Sequence, residues 1–76
     1  MTLTEAKDGI RADILSRGAR FTFTEVQNAA IKKYGESVEG RAVWRLVDAQ
    51  LQALRKKQLI STYREGRQSF WTVLPR

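Results

Sequence analysis

Two pairs of arginines stand at spacings that suit binding to an anionic partner. Arg41 and Arg45 are four residues apart, which places them on one side of a helix. Arg64 and Arg67 flank a Glu-Gly dipeptide between two strand-like runs, so they lie together at a hairpin tip. A guanidinium group is planar and binds two adjacent acceptors at once, either phosphate oxygens or the edge of a guanine. These side chains therefore predict contacts with a nucleic acid.

The distribution of charge along the chain supports the same interpretation. The 76 residues have a formal net charge of +6. Residues 1–40 contain six basic and six acidic side chains, whereas residues 41–76 contain eight basic and two acidic ones. The whole excess lies in the second half, which indicates a half that binds a polyanion and a neutral half that serves as scaffold. A well-solvated surface is the alternative explanation.

Side chains for catalysis and metal binding are scarce. The sequence has no histidine and no cysteine, so the usual general base, nucleophile and metal ligands are missing. Its five glycines stand singly, which excludes a glycine-rich phosphate loop. We expect a protein that is not an enzyme and that binds neither a metal nor a cofactor.

The length predicts a single domain over residues 1–76. A chain of this size buries only about 60% of the surface that its unfolded form exposes, so its core is small. No apolar run approaches the roughly 20 residues of a membrane span. The first ten residues contain acids and lack the apolar stretch of a secretory signal. We expect a cytoplasmic protein with no membrane contact.

The first helix is predicted over residues 4–17. Thr2 and Glu5 have the spacing of a capping box, in which a hydroxyl and a carboxylate satisfy free amides at the start of a helix. Apolar residues then recur at steps of three and four, as Leu3, Ala6, Ile10 and Ile14.

A short strand and a second helix are predicted next. Residues 20–24 alternate aromatic and β-branched side chains, which favours a strand. Thr24 and Gln27 again have capping-box spacing and predict a helix over residues 25–34. The short connection to the next helix is typical of a helix-turn-helix.

The third helix is predicted over residues 38–57, with Ser37 as its N-cap. At about 100° per residue, one side of it is apolar and the opposite side is basic. The apolar side consists of Val43, Leu46, Val47, Gln50, Leu51 and Leu54. The basic side consists of Arg41, Arg45, Gln52 and Lys56, with Asp48 near them. Trp44 borders the apolar side and is expected in the core, with a contact to a second copy or another protein as the alternative.

A hairpin is predicted at the end of the chain, where two strand-like runs surround Gly66. Two registers stay open. A two-residue loop places Arg64 opposite Arg67, and a three-residue loop places it opposite Gln68. A two-stranded hairpin is marginally stable alone, so its base must pack on the helices, and residues 20–23 are a candidate third strand.

The order helix, strand, helix, helix, hairpin resembles the winged helix-turn-helix family of DNA-binding proteins. The resemblance is carried by "ILSRGARFTFTEV" (14–26), "SVEGRAVWRLVDAQLQALRKKQLI" (37–60) and "STYREGRQSFWTV" (61–73), which together cover nearly the whole chain. It implies a mainly α fold with a small antiparallel sheet. It also implies that the third helix enters the DNA major groove and that the hairpin, or wing, contacts the adjacent backbone or minor groove.

Carried over by position, the resemblance places Arg41 and Arg45 on the groove side of the helix and Arg64 and Arg67 on the wing. The chain lacks the additional dimerisation helix that many family members have. Whether it forms a homodimer is therefore left open.

Four further residues complete the predicted interface. Gln52 has the amide chemistry that pairs with adenine, and Gln68 has donors for phosphate. Ser37 is included because the start of a helix binds phosphate through its amides. Lys56 is included as a phosphate contact, although its place near a helix C-terminus also suits the helix dipole.

These observations predict a sequence-specific protein that binds double-stranded DNA, such as a small prokaryotic, phage or plasmid transcription regulator. Two alternatives use the same fold. One is an adaptor that docks on a protein, for example a phage factor on a host enzyme. The other is a non-specific DNA accessory factor in replication or recombination.

Overall fold

The computed structural model describes residues 2–75 and is mainly helical, with small antiparallel hairpins. This confirms the expected class. The elements in chain order are α1 (Leu3–Ser16), α2 (Phe23–Tyr34), β1 (Ser37–Val38), β2 (Arg41–Ala42), α3 (Val43–Lys56), β3 (Ile60–Glu65) and β4 (Gln68–Val73).

Helix α1 begins as the sequence predicts. The Thr2 hydroxyl oxygen accepts a hydrogen bond from the Glu5 amide at 3.1 Å and donates to the Glu5 carboxylate at 3.0 Å. Three residues of the apolar stripe, Ala6, Ile10 and Ile14, are buried. The helix therefore presents one apolar side to the rest of the molecule.

Helix α2 begins two residues earlier than predicted, and the strand predicted over residues 20–24 is almost absent. Thr22, not Thr24, is the N-cap: its hydroxyl oxygen accepts from the Glu25 amide at 3.2 Å. The predicted pairing of Thr24 with Gln27 is therefore wrong. Only Phe21 keeps strand geometry, in an isolated antiparallel bridge to Trp71. A satisfied helix cap, which contributes about 1 kcal/mol, prevails here over a weak alternation of side chains.

The start of α3 is the largest departure from the prediction. Residues 38–42 are not helical, because Ser37–Val38 pairs antiparallel with Arg41–Ala42 around a tight turn. Glu39 and Gly40 both have positive φ, at 49° and 78°, as a type I′ hairpin turn requires. Ser37 therefore lies in β1 and caps nothing, and the N-cap is Ala42, which makes no side-chain hydrogen bond.

The β3–β4 hairpin adopts neither of the two predicted registers. Arg64 pairs with Ser69 and Glu65 pairs with Gln68, so Gly66 and Arg67 form the two-residue loop. Gly66 has a φ of +65°, a conformation that favours glycine, at the first loop position. Arg67 therefore sits in the turn itself instead of flanking it.

The core lies between the three helices and the base of the hairpin. Its buried side chains are Ala6, Ile10, Ile14, Phe21, Val26, Ala30, Val38, Val43, Leu46, Val47, Leu51, Leu54 and Ile60. Trp44 is not among them: 49% of its surface is exposed, so the expectation that it belongs to the core is wrong. Within residues 2–75 no helix combines the length and the low polarity that a bilayer crossing needs.

Helices α1 and α2 approach each other closely at Gly9. A Cβ atom added there would lie 1.7 Å from the Tyr34 hydroxyl oxygen and 3.0 Å from Cζ of the same ring. Because Gly9 has no side chain, the Tyr34 side chain can pack directly against α1 at this position.

We expect Gly9→Ala to lower the free energy of unfolding by about 1 kcal/mol, because the clash with Tyr34 exceeds the helix-propensity gain of roughly 0.5–1 kcal/mol. In the Tyr34→Phe background, which lacks the clashing oxygen but keeps Cζ at 3.0 Å from the added Cβ, the same change should be less destabilising. Chemical denaturation of the four proteins measures this double-mutant cycle. Stabilisation by Gly9→Ala in the wild-type background would contradict the close approach.

Candidate nucleic-acid interface

The acidic side chains of the first half neutralise the basic side chains beside them. Arg11 pairs with Asp8 at 2.8 Å, and Arg17 pairs with Asp13 at 3.1 Å. Arg17 also lies 3.9 Å from a carboxylate oxygen of Glu25. These contacts pair two arginines of the first half with acids of the same half, whereas Lys7, Lys32 and Lys33 form no ion pair within residues 2–75.

The basic side chains of the second half have no such partners. Within residues 2–75, all basic residues from position 41 onward are exposed and none forms an ion pair. They are Arg41, Arg45, Arg55, Lys56, Lys57, Arg64 and Arg67. One of the two acids in this half, Glu65, pairs instead with Arg20 at 3.2 Å. The surface formed by the second half is therefore strongly positive.

Positive charge is concentrated at the start of α3. Arg45 lies in the first turn of the helix, and Arg41 lies in β2, directly before it. The prediction that Arg41 lies on the helix is therefore wrong, although both side chains are still near this end. The first turn contains no acid and has no side-chain cap, so the positive end of the helix dipole adds to the two guanidinium charges.

The exposed side of α3 extends away from Arg45. Gln52 and Lys56 follow it by seven and eleven residues, which keeps all three close to one line along the helix. All three are exposed, and the buried residues Val43, Val47 and Leu54 lie on the other side. Gln52 is about 10 Å from Arg45 along the axis. This outward side is a row of donors, with the exposed carboxylate of Asp48 beside it, one turn from Arg45 and one turn from Gln52.

An open pocket of about 570 Å³ lies at the same end of α3. Its charged lining residues are Lys7, Arg41 and Arg45, and no acid lines it. Trp44 lines it as well, and the Arg45 guanidinium carbon lies 5.4 Å from the centre of the Trp44 ring. The Glu39 carboxylate, in the adjacent β1–β2 turn, accepts a hydrogen bond from the Leu3 amide at the start of α1.

Sequence reasoning missed Lys7 as a member of this group. It is 34 positions before Arg41 and belongs to α1, which contains more acidic than basic residues. Only the packing of α1 beside α3 brings its amine to the pocket. No local pattern in the sequence indicates that proximity.

The predicted residues of the hairpin divide between its two faces. Side chains alternate along a strand, so Arg64 and its partner Ser69 share one face, while Gln68 and Glu65 share the other. Arg67 occupies the turn. All of these residues are exposed, but Arg64 and Gln68 lie on opposite faces of the hairpin.

Arg20 is a second residue that sequence reasoning did not place at the interface. Its guanidinium carbon lies 4.7 Å from the centre of the Phe70 ring, and it pairs with Glu65 on the same hairpin face. Phe70 in turn stacks with Tyr63 at 5.7 Å. A positive φ of 64° at Arg20 turns the chain toward this face. A non-glycine residue rarely adopts that conformation, and no sequence pattern predicts it here.

Comparison with known proteins adds no family assignment. No protein-family model matches the chain, and neither a curated protein nor a solved structure is significantly similar to it. Within residues 2–75, no three acidic side chains are grouped closely enough to hold a metal ion.

The exposure and the basic surroundings of Trp44 predict a specific pattern of fluorescence quenching. The Trp71→Phe variant leaves Trp44 as the only indole, and Trp44→Phe leaves the partly buried Trp71. Iodide should quench Trp44 more strongly than Trp71. Quenching of Trp44 by iodide should also be stronger than quenching of Trp44 by caesium, when each is normalised to the quenching of free N-acetyltryptophanamide. The reason is that the cations around Trp44 concentrate the anionic quencher.

The difference between iodide and caesium should shrink as the salt concentration rises toward about 1 M, where the screening length falls to roughly 3 Å. Trp71 is the matched internal control for quencher chemistry. Equal normalised quenching of Trp44 by the two ions at low salt would contradict a positive pocket.

Proposed function

We propose that this chain is a single winged helix-turn-helix domain that binds double-stranded DNA as a small prokaryotic, phage or plasmid transcription regulator. The observation that carries the proposal is that, within residues 2–75, every basic side chain from position 41 onward is exposed and forms no ion pair. A phosphate backbone supplies the negative charge that this surface lacks. The order of three helices and a terminal hairpin, with Phe21 bridged to Trp71, supports the winged arrangement.

In the proposed complex, α3 lies in the major groove. Arg45 points outward from its first turn, where a guanidinium can bind the O6 and N7 atoms of guanine. Gln52, about two turns further on, has the matching chemistry for adenine. Arg41 precedes the helix, so its part is to hold a phosphate at the groove edge.

The β3–β4 hairpin acts as the wing. Arg67 in the turn and Arg64 beside it are exposed at the far end of the hairpin from its packed base. They contact the neighbouring backbone and lengthen the footprint beyond what α3 covers alone. Lys56 adds a phosphate contact at the C-terminal end of α3.

A protein-docking adaptor is the second candidate function, and the exposed aromatic residues favour it. Trp44 and Tyr63 expose 49% and 38% of their surfaces, and aromatic side chains are enriched where proteins bind one another. An adaptor of this kind would show no selective loss of duplex affinity when Arg41 and Arg45 are removed.

We expect the double variant Arg41→Ala, Arg45→Ala to weaken duplex binding by roughly 10–100-fold at moderate salt, because it removes a base contact and a phosphate contact. With about four phosphates neutralised, the wild-type slope of log affinity against log salt should be roughly −3 to −4, and the variant should lose about one unit of it, for the phosphate contact of Arg41. Fluorescence anisotropy over a salt series measures both quantities.

The matched control is Lys32→Ala, Lys33→Ala. Both lysines are exposed near the end of α2, and their removal changes the net charge by the same amount. Unchanged affinity of a folded Arg41, Arg45 variant would reject groove binding. Equal losses in the two double variants would reduce the interaction to general attraction between opposite charges.

Sequence specificity has its own measurement. Selection of bound duplexes from a random pool should enrich a short motif that contains guanine, since arginine–guanine is the commonest specific contact in the major groove. Enrichment of inverted repeats would indicate a homodimer, because the symmetry of the site follows that of the protein. A pool that binds without enrichment would favour the non-specific accessory factor.

A further inference from the structure

The pocket at the start of α3 combines two kinds of binding surface. Its three charged residues, Lys7, Arg41 and Arg45, come from three different elements and are all basic. Its aromatic residue, Trp44, is half exposed although it belongs to a protein with a small core. The volume of about 570 Å³ is within the range of roughly 300–1,000 Å³ that small-ligand sites occupy.

The two surfaces together limit what can bind. An apolar protein segment over Trp44 would remove three cations from water without supplying a carboxylate, which is unfavourable. An inorganic anion would satisfy the cations but leave the indole exposed. A flat aromatic ring joined to a phosphate satisfies both, because the ring stacks on the indole while the phosphate accepts from the basic side chains.

We propose that this pocket binds one nucleotide unit, with its base stacked on Trp44 and its phosphate held by Lys7 and Arg41. The Arg45 guanidinium carbon lies over the Trp44 ring, 5.4 Å from its centre, so positive charge stands beside the surface on which the base stacks. The nucleotide comes either from an unpaired position in bound DNA or from the free pool. The first source rests on the proposed DNA binding, and the second does not.

Binding of the free nucleotide is tested with the Trp71→Phe protein, in which Trp44 is the only tryptophan. Titration with 5′-dAMP should quench Trp44 saturably, and the affinity should exceed that for deoxyadenosine by about tenfold, because only dAMP has the phosphate. Lys7→Gln should remove most of that difference while leaving deoxyadenosine binding unchanged. Inorganic phosphate alone should compete with dAMP only weakly.

The nucleotide within DNA is tested with two duplexes that differ in one unpaired adenine. The duplex with the unpaired adenine should bind about tenfold more tightly than its fully paired counterpart, since one aromatic side chain stacks on the extruded base. Trp44→Leu should abolish this preference and keep the affinity for the paired duplex within about threefold. Circular dichroism verifies that the variant stays folded, as expected for a half-exposed position.

The outcomes separate the inferences. A preference for the unpaired adenine that depends on Trp44 assigns the pocket to DNA, whereas saturable dAMP binding without that preference assigns it to a free nucleotide. If dAMP neither quenches Trp44 nor responds to Lys7→Gln, and the two duplexes bind equally, the nucleotide pocket is wrong. If dAMP binds but no paired duplex does, the proposed function is wrong and the pocket remains.

Discussion

The pairing of Phe21 with Trp71 attaches the β3–β4 hairpin to the helices. The two residues exchange backbone hydrogen bonds of 2.9 and 2.7 Å, and the Val73 amide donates to the Gly18 carbonyl at 2.9 Å. A two-stranded hairpin is marginally stable alone, so its orientation depends on these bonds and on the buried side chains of Phe21 and Ile60 at its base. The tip, by contrast, is held only by its own strands and by the contact of Arg20 with Glu65. The result is a fixed base and an exposed, basic end.

The segregation of charge is a structural property as well as a compositional one. In α1 two acids are placed one turn from arginines and pair with them: Asp8 pairs with Arg11 at 2.8 Å and Asp13 with Arg17 at 3.1 Å. In α3 and the loop of the hairpin the basic residues face water without such partners within residues 2–75. Surface ion pairs contribute little to stability, so their absence from the second half costs the fold little. What their absence changes is the electrostatic potential that a partner meets.

Much of the helical framework could be predicted from the sequence, and the failures have a common origin. The buried side of α3 can be predicted because its five buried apolar residues repeat at helical spacing, and the Thr2 cap can be predicted because it is local. The dipeptide Glu-Gly occurs twice, at residues 39–40 and 65–66. The sequence pattern predicts a turn only at the second dipeptide, because the first lies within a longer pattern of helical spacing. Because Glu39 and Gly40 have positive φ, the chain makes a turn there and the helix begins only after it, so Arg41 lies before the helix. Lys7 and Arg20 were missed because their neighbours are distant in sequence, and only tertiary packing brings them together.

The unpaired cations also relate binding to stability. Like charges on one surface repel each other, so the free protein is less stable than the same fold with neutral residues at those positions. A polyanion that binds the folded state would remove this repulsion and, by mass action, stabilise the fold by an amount that grows with the logarithm of its concentration relative to its dissociation constant. The hairpin gains most from this effect, because it is a marginal element with Arg64 and Arg67 at its exposed end. The basic tip of a marginally stable hairpin is therefore the segment of this fold that a bound anion would stabilise most.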